Sequence, residues 1–406
     1  MWRKLQRNLS LLEGKFGLNE DQLAFQALAL QFAATELAPN AEKWDKHCIF
    51  PIETLRKAGD LGFGGIYVSE EYGGTSLGKL EATIILESLS RGCMSTASYI
   101  SIHNMCNGLL DTFGTKEQKE RFQEKLCRFQ ILSSYCLTEP GSGSDAGSMV
   151  TQAKEVGDRF VINGSKAFIS GGEDSGLYFV MAKTAVKQIS CFLVERNTPG
   201  LSFGKHEEKI GWRTQPTQMV MFDNVSVPKE NLLGSLGSGM NVAMKGLEGG
   251  RLTIAACALG GAWLSIEKAS NYMSERSQFK TKLKDFQHLR FRMSENLAKL
   301  TESRMMVRAI ASLIDQDTTE KNMFTAIAKL RATDTCYEIA DDCLQMLGGY
   351  GLLSEYGMER LLRELRVLKI IEGTNEIMKH TLSKNLFNYN ENTGTNRPIQ
   401  DVVSYI

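Results

Sequence analysis

The chain lacks most of the features that would place it at once. Its 406 residues carry no excess of either charge, with 47 Lys+Arg against 47 Asp+Glu. That balance argues against a nucleic-acid or membrane-surface binder, whose partner is polyanionic. No uncharged apolar run approaches the roughly 18 residues a membrane helix needs. The nine cysteines (Cys48, Cys93, Cys106, Cys127, Cys136, Cys191, Cys257, Cys336 and Cys343) include no C-x-x-C pair. Scattered and odd in number, they suit free thiols in a reducing compartment, not a disulfide frame or a zinc site. The five histidines (His47, His103, His206, His288 and His380) show no metal-ligand spacing, and His103, inside an apolar helical run, reads as a satisfied core residue. There is no Walker loop, no G-x-G-x-x-G opening a helix, no nucleophile elbow and no internal repeat. Chemistry without such a group of its own points to a bound cofactor.

What is present falls into three zones. From about 23 to 132 the apolar residues recur at helical spacing, and "LEATIILESLSRGCMSTASYISIHNMCNGLLDTFG" predicts a helix buried all round. Between 135 and 228 short β-branched and aromatic stretches alternate with Gly, Asn, Asp and Pro. Strands grouped in this way predict an antiparallel barrel or sandwich. After "NLLGSLGSGMN" the helical period returns, with Leu289, Met293, Leu297, Leu300, Val307, Ala311 and Ile314 on one stripe, as in a bundle helix. The expected division is 1–16 a tail, 17–134 an N-terminal helical domain, 135–232 a central β domain, 233–388 a C-terminal helical bundle, and 389–406 a loose tail. Residues 1–16 are basic, with Trp2, Leu5, Leu9 and Leu12 near one helical face. They fit a short mitochondrial presequence or an ordinary basic tail equally well.

Four stretches could bear chemistry, each with a plainer alternative. "YCLTEPGSGSDAG" (135–147) exposes backbone amides and hydroxyls at the first zone boundary and could form an anion-binding nest, or be an interdomain turn. "GGRLTIAA" after Glu248 reads as the start of a helix, with open amides at Gly249 and Gly250 and a fixed charge at Arg251 for a phosphate or thioester oxygen, or as plain helix-start chemistry with no ligand. "QMLGGYG" (345–351) ends a helix on a Gly C-cap, unless its bare backbone borders a ligand. In "IIEGTNEIMKH", Glu372 follows two isoleucines. A carboxylate there loses hydration and becomes a general base near neutrality, or else is a surface acid at a helix boundary.

Taken in order, "YCLTEPGSGSDAG", "NGSKAFISG", "FDNVSVP", "RSQF", "QMLGGYG" and "IIEGTNE" resemble the motif series of the acyl-CoA dehydrogenase family, over about 17 to 386. The resemblance implies a multi-domain α+β fold: an N-terminal all-α domain, a central antiparallel β-barrel or sandwich, and a C-terminal four-helix bundle. It implies FAD, lined by Tyr135, Leu137, Thr138, Gly143 and Ser144 on one side and covered by Phe168, Ile169 and Ser170 on the other. It places Arg276, Phe286, Gln287, Gln345, Gly348 and Gly349 by the adenine half, largely across subunits, and Thr374 and Glu376 by the pyrophosphate and ribityl chain. Ser144, Glu248, Gly249, Gly250 and Arg251 are implied as substrate contacts, and Glu372 as the catalytic base. Some members carry the base immediately before the Arg of the segment matching "EGGR"; here that position is Gly250.

The implied activity is α,β-dehydrogenation of a short branched acyl-CoA, isobutyryl-CoA of valine breakdown foremost. Electrons would pass to electron transfer flavoprotein, from a homotetramer in the mitochondrial matrix, with no metal, nucleic acid or membrane. Short-chain or 2-methyl-branched acyl-CoAs are the alternative substrates, and a catalytically silent assembly scaffold the alternative of another class. Two departures stand out. Lys280 replaces the Gly of the usual R-x-x-F-G, and Ile371 replaces a Tyr often found before the base.

Overall fold

Asn19 opens the helical half of the chain. Its side chain accepts from the Gln22 N–H at 2.8 Å while Gln22 accepts from the Asn19 N–H at 3.2 Å, a capping box that starts α1 (Glu20–Phe32). The computed structural model describes residues 10–388 apart from 187, 317 and 319; positions 1–9 of the expected basic leader and the 389–406 tail lie outside the described residues. After α1 come α2 (Ala41–His47), α3 (Ile52–Asp60), α4 (Lys79–Ser90), α5 (Met94–Phe113) and α6 (Lys116–Cys127). The run read as one buried helix is thus two, α4 and α5. It breaks at Gly92, where a Cβ would lie 2.6 Å from the Ala33 carbonyl oxygen, so the chain turns at a close backbone crossing. His103 is buried in α5, with Nε2 2.8 Å from the Leu126 carbonyl and Nδ1 2.9 Å from Ser133 Oγ. Burial pushes it down to about 4, so it is a neutral core residue.

Eight strands form the middle: β1 (Ser133–Cys136), β2 (Gln152–Val156), β3 (Arg159–Ser170), β4 (Leu177–Ala185), β5 (Gln188–Glu195), β6 (Leu201–Phe203), β7 (Thr217–Pro228) and β8 (Leu232–Leu233). Their order is β6-β7-β3-β2-β4-β5-β8, with β1 added to β4. Most pairings are antiparallel, as the grouping of strands predicts; β1–β4 and β2–β4 are parallel. One face buries its own apolar core, including Ile162, Ile169, Val180, Phe192 and Val220.

The rest is helical: α7 (Gly239–Glu275), α8 (Gln287–Asp315), α9 (Lys321–Leu347), α10 (Met358–Leu368) and α11 (Asn375–Asn388). At 1.5 Å per residue α7 is about 55 Å long, and it packs on α4, α5, α8, α9 and α10. It is long and apolar enough to cross a membrane by length and composition, yet 89% of its apolar window is buried inside the protein, which makes it a core helix. The predicted stripe of α8 faces the core, with Leu300, Val307 and Ala311 buried. All nine cysteines are free, and eight are buried.

Candidate active site

Three elements meet at Glu372. It lies in the turn between α10 and α11, at φ +53°, a left-handed backbone that a non-glycine residue adopts only where surrounding contacts hold it. The holding contacts come from α9. Lys329 Nζ donates to the Gly373 carbonyl at 2.8 Å and to Asn375 Oδ1 at 2.7 Å. Asn375 Nδ2 donates to Thr333 Oγ1 at 3.0 Å and to Asp334 Oδ1 at 2.8 Å, and Lys369 pairs with Asp334 at 2.9 Å. Gly373, at φ +88°, closes the turn, and the Thr374 hydroxyl caps α11 by accepting from the Ile377 N–H at 3.2 Å.

The carboxylate points at α7. A Cβ built on Gly250 would fall 2.5 Å from Glu372 Oε2 and 2.9 Å from Oε1, so the missing side chain is the space the carboxylate occupies. Oε2 is buried with no hydrogen-bond partner. Desolvation pushes the acid up to about 7, against the pull of the Arg251 and Lys329 charges. An unpartnered carboxylate poised near neutral pH beside an opening is the condition for a general base.

The expectation of a helix start at Gly249–Gly250 is wrong. Both lie well inside α7, which begins at Gly239, and their amides are spent on the helix's own hydrogen bonds. They offer no open amides to a phosphate. Their service is the bare surface against which Glu372 and a small cavity rest. That cavity, about 80 Å³, is lined by Gly249, Gly250, Thr253, Ser101, Met105, Tyr67 and Lys79 among others. Arg251 is buried; its Nη1 donates to Asn322 Oδ1, and its Nε has no partner. Glu248 is half-buried one turn away.

The 135–147 stretch runs from β1 into a tight loop in which the Glu139 and Ser142 amides bond each other's carbonyls at 2.9 and 3.1 Å. The buried Glu139 carboxylate fixes that loop. It accepts from the Val150 and Thr151 amides at 2.6 and 3.0 Å and pairs with buried Lys166 at 2.8 Å. Lys166 also donates to the Leu137 carbonyl at 3.0 Å. Leu137 is buried, Tyr135 donates to the Ala243 carbonyl at 3.1 Å, and Thr138 is half-buried. Gly143 and Ser144 are exposed at the loop tip.

Phe168 is nearby on β3, where the Ala167 amide donates to the Thr138 carbonyl at 2.8 Å. A register shift between Lys166 and Ile169 turns Phe168 outward, at φ +58° and 69% exposed. Ile169 beside it is buried and Ser170 half-buried.

The residues expected at the adenine half come together only in part. Arg276, Gln345, Gly348 and Gly349 line a cavity of about 460 Å³ with Tyr272 and Tyr350. Phe286 and Gln287 stand outside its lining, at the start of α8. Gly348 is at φ +59° and ends α9, as a C-cap should. Glu376 is exposed on α11. The Lys280 departure is absorbed locally. Phe279 and Lys280, at φ +52° and +61°, form the two-residue turn of a hairpin between β9 (Ser277–Gln278) and β10 (Thr281–Lys282), the turn that favours Gly.

These surfaces fit a dinucleotide such as FAD. A Cβ at Gly141, Gly143 or Gly349 would meet nothing within 4 Å, so the chain's own packing does not require glycine at these positions. A strained, exposed aromatic such as Phe168 suits a flat ring stacked on it.

Sequence reasoning missed the Glu139–Lys166 pair, the Lys329 clamp and the true service of Gly250. Their partners are far apart in sequence, and only "NGSKAF" hinted at a lysine with a role.

Comparison with known proteins places the whole chain. Models of the acyl-CoA dehydrogenase N-terminal, middle and C-terminal domains match residues 19–130, 134–225 and 237–387. The chain is 50% identical over 374 residues to the mitochondrial isobutyryl-CoA dehydrogenase of Dictyostelium discoideum, covering 91% of this chain and 90% of that protein. With the Bos taurus protein of the same name it shares 46% over 381 residues, covering 93% and 92%. The structure of butyryl-CoA dehydrogenase from Megasphaera elsdenii superposes with a TM-score of 0.89 at 33% identity, covering 92% of this chain and 99% of that one. With models of all three domains matched in order and two relatives at 46–50% identity over more than nine-tenths of its length, the chain belongs to the acyl-CoA dehydrogenase family of FAD-dependent oxidoreductases.

Proposed function

We propose that this enzyme removes the α and β hydrogens of a short branched acyl-CoA, isobutyryl-CoA foremost, with Glu372 as the base. The observation that carries this is the Glu372 carboxylate: its Oε2 is buried and unpartnered against Gly250, and burial brings the group to about 7. Near pH 7 such a carboxylate is ionised in a useful fraction of molecules and strong enough to take a carbon-bound proton. The Glu372 backbone N–H donates to no protein acceptor among the described residues, which suits it to the thioester oxygen. A hydrogen bond there stabilises the negative charge that develops as the α-proton leaves.

The chemistry FAD supplies when bound is acceptance of the β-hydrogen as hydride. Tyr135, Leu137, Thr138, Gly143, Ser144, Phe168, Ile169 and Ser170 would hold one part of it. Arg276, Gln345, Gly348 and Gly349 would hold the adenine part, with Phe286 and Gln287 alongside and largely across subunits, and Thr374 and Glu376 would lie by the pyrophosphate and ribityl chain. Arg251 and Lys329 steady the Glu372 charge. A cavity of about 660 Å³ beside the 135–147 loop, with Lys154 and Lys183 in its wall, suits the phosphates of CoA.

Isobutyryl-CoA is supported by the names of the two relatives, as is a mitochondrial address, with the matrix as the site of valine breakdown. Electron transfer flavoprotein is the family's acceptor. A homotetramer accords with the large apolar side chains exposed on the C-terminal half, among them Phe279 at 90%, Leu352 at 70% and Phe291 at 59%.

The test is direct. Purified protein should be yellow, and isobutyryl-CoA should bleach it without air faster than butyryl- or 2-methylbutyryl-CoA does. Glu372→Gln should keep the colour and lose turnover by about 10²–10⁴-fold. Full turnover by that variant would place the base elsewhere.

A further inference from the structure

The small cavity beside Gly250 is lined by a cation, Lys79, that neither the mechanism nor the motif series uses. Lys79 is the first residue of α4, and the Asp315 carboxylate holds its backbone N–H at 2.7 Å and that of Leu80 at 3.0 Å. That grip fixes where the side chain begins. It then turns inward, to place Nζ 3.3 Å from the centroid of the Tyr67 ring. A Cβ on Gly249 would come within 2.9 Å of the same nitrogen. Among the described residues no carbonyl or carboxylate bonds this nitrogen, and the buried Tyr67 hydroxyl is also without a partner. Lysines ordinarily keep the amine in water. Here burial pushes the group down to about 7, as the nearby Lys245 charge also does, despite Asp315 and Glu248.

We propose that Lys79, seated on Tyr67, is a specificity-determining residue that ends the acyl cavity and confines the enzyme to short acyl groups. The inference rests on the reading of Glu372 and this cavity as the acyl-CoA site. Volume carries it. A space of about 80 Å³ holds two or three groups the size of a water, at about 30 Å³ each. That is the isopropyl or propyl part of an acyl chain. A longer chain meets Nζ and must displace it. Displacement lifts the ammonium off an aromatic face that attracts it, in a cavity whose wall also carries Lys245.

The experiment measures kcat/KM of the FAD-loaded enzyme for isobutyryl-, butyryl-, hexanoyl- and octanoyl-CoA, in wild type, Lys79→Ala and Lys79→Thr. Shortening the side chain should raise the hexanoyl-to-isobutyryl ratio at least tenfold, in line with the discrimination one or two methylenes provide. Calorimetry repeats the comparison in a Glu372→Gln background, where the ratio of Kd values should move the same way without turnover. Visible absorbance and the melting midpoint confirm the fold, and either variant suffices if the other is unstable. An unchanged ratio in a folded variant overturns the proposal. Should wild type oxidise none of the four substrates, the reading of the site fails, while the calorimetric ratio still decides the part played by Lys79.

Discussion

Gly250→Ala separates the fold from the chemistry. Position 250 is interior to α7 and buried. By helix propensity alone, alanine there stabilises the helix by about 0.8–1.0 kcal/mol. Its methyl, however, would stand 2.5, 2.7 and 2.9 Å from Oε2, Cδ and Oε1 of Glu372, where ordinary contact begins at 3.4 Å. The carboxylate must therefore move by about 1 Å, a displacement that would cost about 10²-fold in rate if it is the proposed base. The turn cannot retreat as a whole. Lys329 grips Gly373 and Asn375, and the Asn375 amide donates to the Lys369 carbonyl at 3.0 Å. What moves is the flexible end of the side chain, so folding should be spared. The expected result is a melting midpoint equal to or above wild type, unchanged yellow colour, and anaerobic bleaching by isobutyryl-CoA slowed by about 10²-fold. Bleaching within about threefold of the wild-type rate, in a folded protein, would refute the placement of the carboxylate against α7.

Four further outcomes follow. As the proposed base, Glu372 would have to be ionised to act, and it is raised to about 7, so kcat/KM should fall as pH drops through neutrality. Lys329→Met removes a charge that lowers this acid, so the acid limb should move to higher pH, and an unmoved limb would show that Lys329 does not act on the base. A carboxylate with a folded value above the 4.5 of the free acid binds a proton that the unfolded chain has released. Stability is therefore lost as pH rises from about 4.5 to 7. Glu372→Gln should be more stable than wild type at pH 8, with the gap closing toward pH 4.5, as denaturant midpoints would show. Lys280→Gly relieves a left-handed residue that costs about 1–2 kcal/mol, less the greater flexibility of glycine, about 0.5–1 kcal/mol. A net gain of about 0–1.5 kcal/mol is expected in denaturant unfolding, and a loss would mean that the hairpin turn is not strained.

The run of strands between 135 and 228 and the α8 stripe were legible because alternation and helical period record which face of an element is buried. Glu372 and the glycines of "QMLGGYG" were legible as local chemistry: apolar neighbours before an acid, and a C-cap after a helix. The start of α7 was not. Two adjacent glycines signal a helix end or beginning, yet here they sit in the interior. Together they cost about 2 kcal/mol of propensity, and packing of the helix against its neighbours outweighs that cost.

By itself the sequence determined the order of elements, the local turn and cap chemistry, and a carboxylate with apolar neighbours at 372. Tertiary structure alone decided that the missing side chain of Gly250 is the seat of that carboxylate, that Lys329 holds its turn, that Glu139 pairs with Lys166, and that Lys79 rests on Tyr67 in the wall of the cavity. The reason is physical. Periodicity specifies the face a residue presents, but which residue it meets, 40 or 120 positions away, is set only when the helices and sheet pack and exclude water between them.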